Sequence, residues 1–430
     1  MDSDDEEEQM FAELFEEEML AAIRDEEHML ILTCLSGLYA ETAIGRSGGS
    51  APGRRKCKPR QRMEGYCMLY ADYFADWPLH GMHSVKVFSY SELRKATQNF
   101  SEANKIGEGG FGSVFRGKLK DGTFIAVKVL SATSRQGVGE FLTELTAISD
   151  IKHENLVTLM GCSAEGSHRI LVYNYLENNS LQQTLLGAKY SSIQFNWEAR
   201  VKIAIGIARG LAFLHEEIRP HIIHRDIKAS NILLDKDLTP KIADFGLARL
   251  LPPNATHVST RVAGTLGYLA PEYAIRGQVT KKSDIYGYGV LLLEIVCGRC
   301  NTNTRLARED RFLLEKTWAL YEQEHLDEII DADIDDELDI EEACKFLKIG
   351  LLCTQDAMAR RPHMSTVLRM LTGCKNVSME KITRPAMITD FCQLIPSGAE
   401  KTRSNTSGSF TTTETTDPFS SSDTATQSSM

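Results

Sequence analysis

Two hydrophobic rhythms alternate between residues 88 and 375. Period-two segments come first. A strand pair is predicted on either side of Gly107 to Gly112, and another strand over 123–130. A helix is predicted over 138–150, followed by strands near 156–162 and 169–175. After Ser180 the rhythm lengthens to that of helices. Val201, Ile205, Ala208, Ala212 and Leu214 make roughly one apolar stripe along 197–217. Residues 282–296 are apolar almost throughout, which predicts a helix at the centre of a helical lobe. This order implies a small β-rich lobe joined to a larger helical one, an α+β bilobal fold. The junction is predicted near 173–177, where the strand rhythm stops.

Composition changes outside that region. Residues 1–27 hold thirteen acids and one base, Arg24, so most of the net charge of −11 sits in this segment and the remainder is near neutral. The acidity therefore says little about the ligand of the main body. A basic run follows at 46–62, with seven Lys or Arg, two prolines and no acid. Residues 397–430 contain 18 Ser or Thr and almost no large apolar groups, too little to offset ordering entropy. The expected division is an extension at 1–87, a short lead-in at 88–103, a domain at 104–375 and a disordered tail at 376–430. Within the domain the lobes are expected at about 104–173 and 177–375.

The apolar stretch at 29–40 is too short to span a bilayer and lacks a basic start. Asp2 stands where myristoylation needs glycine, and the C-terminus carries no prenylation cysteine. A soluble protein without a membrane span, cytoplasmic or held peripherally at the plasma membrane or in the nucleus, is expected. The ten cysteines show no regular spacing, and the close pair Cys297 and Cys300 reads as reduced thiols at a helix end. Asp331, Asp333, Asp335, Asp339 and Glu342 approach the spacing of a calcium loop, but Asp336 occupies the position that needs glycine. A solvated acidic loop is the expected reading.

Five motifs carry chemistry. Gly107, Gly109, Gly112 and Val114 fit G-x-G-x-x-G-x-V, a pattern that lets backbone N–H groups approach phosphates. The chain continues as a strand rather than opening a helix, which argues against a dinucleotide-binding turn. Lys128 ends the apolar strand Ile125-Ala126-Val127, and Glu140 and Glu144, one helical turn apart, are both candidates to pair with it. His224-Arg225-Asp226-Ile227-Lys228-Ala229-Ser230-Asn231, Asp244-Phe245-Gly246 and Ala270-Pro271-Glu272 follow in order.

With these motifs residues 88–375 resemble a eukaryotic protein kinase domain of the plant receptor-like kinase group. Phe88-Ser89-Tyr90-Ser91-Glu92-Leu93, Trp197-x-x-Arg200 and Gly264-Thr265-Leu266-Gly267-Tyr268 support the likeness, which is nearest to receptor-like cytoplasmic serine/threonine kinases close to the cold-responsive protein kinases. The resemblance implies ATP and Mg²⁺ as cofactors and protein Ser/Thr hydroxyls as acceptors, in plant intracellular signalling, with a receptor kinase upstream.

It also implies roles. The glycine loop would cover the phosphates, and Lys128 would hold two of them, fixed by Glu144 in the pattern Phe141-x-x-Glu144. Asn231 and Asp244 would hold Mg²⁺. Asp226 would accept the hydroxyl proton, with Lys228 near the transferred phosphoryl and Thr265 on the substrate side. Ile106, Val114, Ala126 and Leu233 would enclose the adenine, Tyr173 would close the back, and the backbone of Asn174 and Leu176 would meet its edge. Arg225, read as unpaired, would be neutralised by phosphorylation at Thr260, or at Ser259 or Thr256. Glu272 would pair with Arg361, and Asp284 would anchor the loop around Asp226.

Residues 1–80 resemble the N-terminal region of plant Harbinger-type transposase-derived proteins, on the acidic-apolar start, the basic run and Met63 to Phe74. A nucleotide-binding scaffold without phosphotransfer, and an adaptor that meets nucleic acid through the basic run, are the competing readings, with nucleic acid the less expected partner.

Overall fold

The computed structural model describes residues 85–387, apart from 110–111, 131–134, 167, 188–192, 253–254, 304, 308–309 and 335–337. The acidic start, the basic run, the transposase-like stretch and the Ser/Thr-rich end lie outside the described residues.

From its N-terminal side the first lobe runs β1 (Lys86–Val87), α1 (Tyr90–Ala96), β2 (Lys105–Gly109), β3 (Gly112–Lys118), β4 (Phe124–Leu130), α2 (Arg135–Ile148), β5 (Leu159–Ser163) and β6 (Arg169–Asn174). The strands form one six-stranded sheet in the order β1-β5-β6-β4-β3-β2. All pairs are antiparallel except β1 with β5. The strand predicted at 156–162 starts later, at Leu159. Val157 donates instead to the Ile242 carbonyl at 3.0 Å, in the other lobe.

Alternation gives the sheet two working faces. Ile125, Val127, Ile170 and Val172 point to one side and pack with Phe88 and Leu93 in a small separate core. The lead-in segment is therefore a cover for the outer face of the sheet. Burying Phe88 and Leu93 contributes roughly 1.5–3 kcal/mol each. Gly161 admits this cover, since a Cβ there would meet the Phe88 ring at 2.5 Å. Ser89 caps α1, accepting from the Glu92 amide at 3.2 Å. The opposite face carries Val114, Ala126, Lys128 and Tyr173, because register sets Val114 opposite Lys128 and Ala126 opposite Tyr173.

The second lobe holds α3 (Trp197–Ala212), β7 (His221–Ile223), β8 (Ile232–Leu234), β9 (Pro240–Ile242), β10 (Arg249–Leu251), β11 (Val258–Ser259), α4 (Pro271–Arg276), β12 (Gln278–Val279), α5 (Lys281–Cys297), α6 (Leu313–Glu322), α7 (Ile340–Cys353) and α8 (Met364–Leu371). Helix α5 is buried on all sides from Ser283 to Cys297. The Thr280 and Ser283 side chains cap its start, and Gly298 stops it at φ 62°. The buried face of α3 runs through Ile203, Ile207 and Leu211, while Val201 and Ile205 are only half-buried, so the stripe predicted from their spacing is offset. Ordered packing also extends past 375. Ala386 and Met387 are buried, and Tyr286 donates to the Ala386 carbonyl at 2.8 Å, so 376–387 belong to the folded body rather than to the tail.

Candidate functional site

Lys128 projects from β4 toward two carboxylates. Its ammonium lies 2.8 Å from Glu144 Oε2 on α2 and 2.7 Å from Asp244 Oδ1. Glu144, not Glu140, is the partner in the ion pair. Its second oxygen accepts from the Phe245 amide at 3.2 Å. Burial alone would lower the Lys128 pKa, but the two carboxylates outweigh it and raise it, so the ammonium stays charged. Burial likewise pushes the Asp244 carboxyl up, and Lys128 overcomes it and holds it below the usual carboxylate range.

Asp226 gathers a second group. Lys228 Nζ lies 2.8 Å from its Oδ2, Asn231 Nδ2 donates to the same oxygen at 2.9 Å, and Thr265 Oγ1 donates to Oδ1 at 3.1 Å. Lys228 also donates to Thr265 Oγ1 at 2.9 Å, closing a triangle. The loop is held from below by Asp284 on α5, which accepts from the His224 and Arg225 amides at 2.7 and 2.8 Å and from His215 at 2.9 Å. Arg225 and Asp244 both have φ near +70°, at 72° and 66°. Two non-glycine residues in that region cost about 1–3 kcal/mol each, so the surrounding bonds over-determine them.

The residues read as an adenine enclosure are split between lobes. Val114, Ala126 and Tyr173 share the sheet face of Lys128, with half-buried Ile106 on β2; Leu233 is half-buried on β8. Asn174 ends β6, and Leu176 lies just beyond it. In the glycine run, Gly112 is required by the backbone, with φ 132° and Val129 O only 2.1 Å from an added Cβ. Packing does not require the other two. A Cβ on Gly109 would meet nothing within 4 Å, and one on Gly107 nothing closer than 3.7 Å.

Arg225 is not unpaired, contrary to the sequence reading. Its guanidinium donates to the Leu247 and Arg261 carbonyls, both at 2.9 Å, and to the Tyr273 hydroxyl. All three acceptors are neutral, and among the described residues no carboxylate forms an ion pair with the guanidinium. Burial, then the nearby Arg225, lowers the pKa of Arg249, a second guanidinium close by. Thr260 is half-buried and donates its amide to the Gly277 carbonyl at 3.0 Å; Ser259 and Thr256 are exposed. Glu272 and Arg361 form the expected pair through two bonds of 2.8 and 2.9 Å.

Three groups in the helical lobe escaped the sequence reading. Glu294 on α5 accepts from the Tyr268 hydroxyl at 2.8 and 2.7 Å and from the Asn301 amide at 2.6 Å. An acid inside an apolar run was the available signal. Trp197 Nε1 donates to Glu342 at 2.8 Å, and Arg200 lies 2.5 Å from Asp331. With Asp339 capping α7, three of the acids read as a solvated loop are structural anchors instead. Among the described residues no cluster of three or more His, Cys, Asp or Glu suits a metal. Cys297 and Cys300 are free thiols, and burial pushes Cys297 up to about 12.

Residues 100–370 match the family model of the protein kinase domain. The chain belongs to the protein kinase family. It is 63% identical over 330 residues to Cold-responsive protein kinase 1 of Arabidopsis thaliana, covering 76% of this chain and 85% of that one. It is 53% identical over 304 residues to a probable LRR receptor-like serine/threonine-protein kinase of the same plant. That match covers 71% of this chain and 29% of the receptor-like relative. Another probable leucine-rich repeat receptor-like serine/threonine-protein kinase is 53% identical over 298 residues, with coverages of 69% and 29%.

The donor set fits what kinases use. Asn231 commits its amide nitrogen to Asp226, to the carbonyl and to Oδ2, both at 2.9 Å, while its amide oxygen takes only a long bond of 3.5 Å from the Ser230 hydroxyl and keeps a lone pair to offer as a hard neutral ligand. Asp244 adds a carboxylate, and oxygen ligands of this kind suit Mg²⁺. The open space over Gly109 fits phosphate oxygens held by backbone N–H groups.

Proposed function

We propose that this protein is an ATP-dependent protein serine/threonine kinase. The observation that carries the reading is the triangle of Asp226, Lys228 and Thr265 beside Asn231 and the Lys128–Asp244 pair. Asp226 offers a carboxylate oxygen to an incoming Ser or Thr hydroxyl, orients its lone pair and takes its proton. Lys228 sits where charge on the moving phosphoryl develops, and Thr265 holds Lys228 and Asp226 in register. Lys128, kept charged and fixed by Glu144, grips phosphate oxygens. Asn231 and Asp244 would hold Mg²⁺, which supplies charge neutralisation on the phosphates when bound. Ile106, Val114, Ala126, Tyr173 and Leu233 enclose the base, with the backbone of Asn174 and Leu176 at its edge.

Arg225, held among the described residues by neutral acceptors, supports control by phosphorylation at Thr260, with Ser259 and Thr256 as further sites. We place the protein in plant intracellular signalling, with protein substrates and a receptor kinase upstream. The free thiols of the described cysteines suit the reducing cytoplasm. Among the described residues no helix is long and apolar enough to cross a membrane. The test is transfer of labelled phosphate from ATP to a generic basic protein. The full chain is expected to label serine and threonine, and Lys128→Met to lose the signal; equal labelling by both would reject the assignment.

A further inference from the structure

Arg116 breaks the logic of its strand. It lies on β3 opposite Ala126, on the sheet face that carries Val114 and Lys128, yet it is charged and exposed. Among the described residues it has no carboxylate partner; its guanidinium lies against two neighbouring rings, 4.4 Å from the Phe124 centroid and 4.9 Å from that of Tyr175. The rings themselves are 6.4 Å apart. Phe124 remains 43% exposed, and Lys118 adds a second cation 5.3 Å from its ring. The two cations flanking this phenylalanine are attracted to its ring face and add to what its partial burial supplies. Tyr175 is the first residue after β6 and stands between Asn174 and Leu176.

We propose that Arg116 is a positioning residue for the nucleotide, clamping Tyr175 to the β3–β4 hairpin and so setting the backbone on either side of it. This rests on the reading that Asn174 and Leu176 meet the adenine edge through their main chain. Both peptide planes that flank Tyr175 are rigid units, so fixing its side chain against β3 and β4 limits how those planes rotate. The same clamp ties them to the strands that carry the glycine run and Lys128. Loss of the clamp weakens ATP binding and leaves the groups around Asp226 untouched.

Steady-state phosphotransfer by the full chain to a generic basic protein, at varied ATP, tests this. Arg116→Ala and Tyr175→Ala are each expected to raise KM for ATP about three- to tenfold, with kcat within about twofold. Arg116→Lys is expected to behave like Arg116→Ala, because a compact, strongly hydrated ammonium lacks the broad planar group that meets both rings at once. Tyr175→Phe is expected to match the parent chain. The double variant is expected to lose no more than either single one. An unchanged KM for ATP in both alanine variants overturns the clamp, as does a fall in kcat alone. Ala126→Leu separates the two ideas: it should raise KM for ATP by filling the base enclosure, and if it does not, the adenine site is misplaced.

Discussion

The carboxylate of Glu144 accepts a hydrogen bond from the backbone N–H of Phe245 at 3.2 Å. Its other oxygen takes the Lys128 ammonium at 2.8 Å. One buried side chain on α2 thus sets both the strand lysine and the segment that delivers Asp244. Phe245 completes the arrangement, fully buried with its ring edge-on to His224 at 4.7 Å between centroids. Placement of α2 and placement of Asp244 are in this way one structural state.

Glu144→Gln should separate them. The amide still accepts from one donor but no longer balances Lys128, and phosphotransfer should fall roughly tenfold to a hundredfold. Amide hydrogen exchange around Phe245 should quicken in the same variant. Protection and turnover both equal to the parent chain would disconnect Glu144 from the site.

Asp226→Asn removes the acceptor of the hydroxyl proton while keeping the shape. Turnover should drop by about 10²–10⁴. Nucleotide binding, followed by fluorescence of a labelled ATP analogue, should persist. Parent-like turnover would strip Asp226 of its role.

Thr260→Ala should lower phosphorylation of added substrate roughly tenfold, because the charge of Arg225 then meets only carbonyl and hydroxyl dipoles. Phosphosite mapping of the active protein should find phosphate at Thr260. Full activity in completely dephosphorylated protein would refute this control.

Glu294 makes stability depend on pH. Burial raises its carboxyl from 4.5 to about 7, partly offset by the bonds from Tyr268 and Asn301. The folded chain therefore keeps this proton at a pH where the unfolded chain has released it. Stability from this group is intact below about 4.5, declines as pH rises to about 7, and is flat above that. The loss is on the order of 2–4 kcal/mol. Denaturation across this range should show Glu294→Gln gaining on the parent chain as pH rises, and parallel curves would exclude the effect.

Local periodicity was enough to set much of this protein. Ile125 and Val127 alternate with Ala126 and Lys128, so the outer core and the cleft face of β4 were both readable from a period of two. The continuous apolar run of α5 likewise announced its central position. Motif order then identified the chemistry, because each motif is short and contiguous. Partners were another matter. Glu140 and Glu144 sit one turn apart; spacing alone left both open, the family pattern pointed to Glu144, and the packing of α2 against the sheet is what brings it to Lys128. The same holds for Arg200 with Asp331, for Arg225 with the Leu247 and Arg261 carbonyls, and for Arg116 with Tyr175. Spacing along a chain says which face a side chain occupies. Which group waits across the gap depends on how separate elements dock, and that is decided in three dimensions.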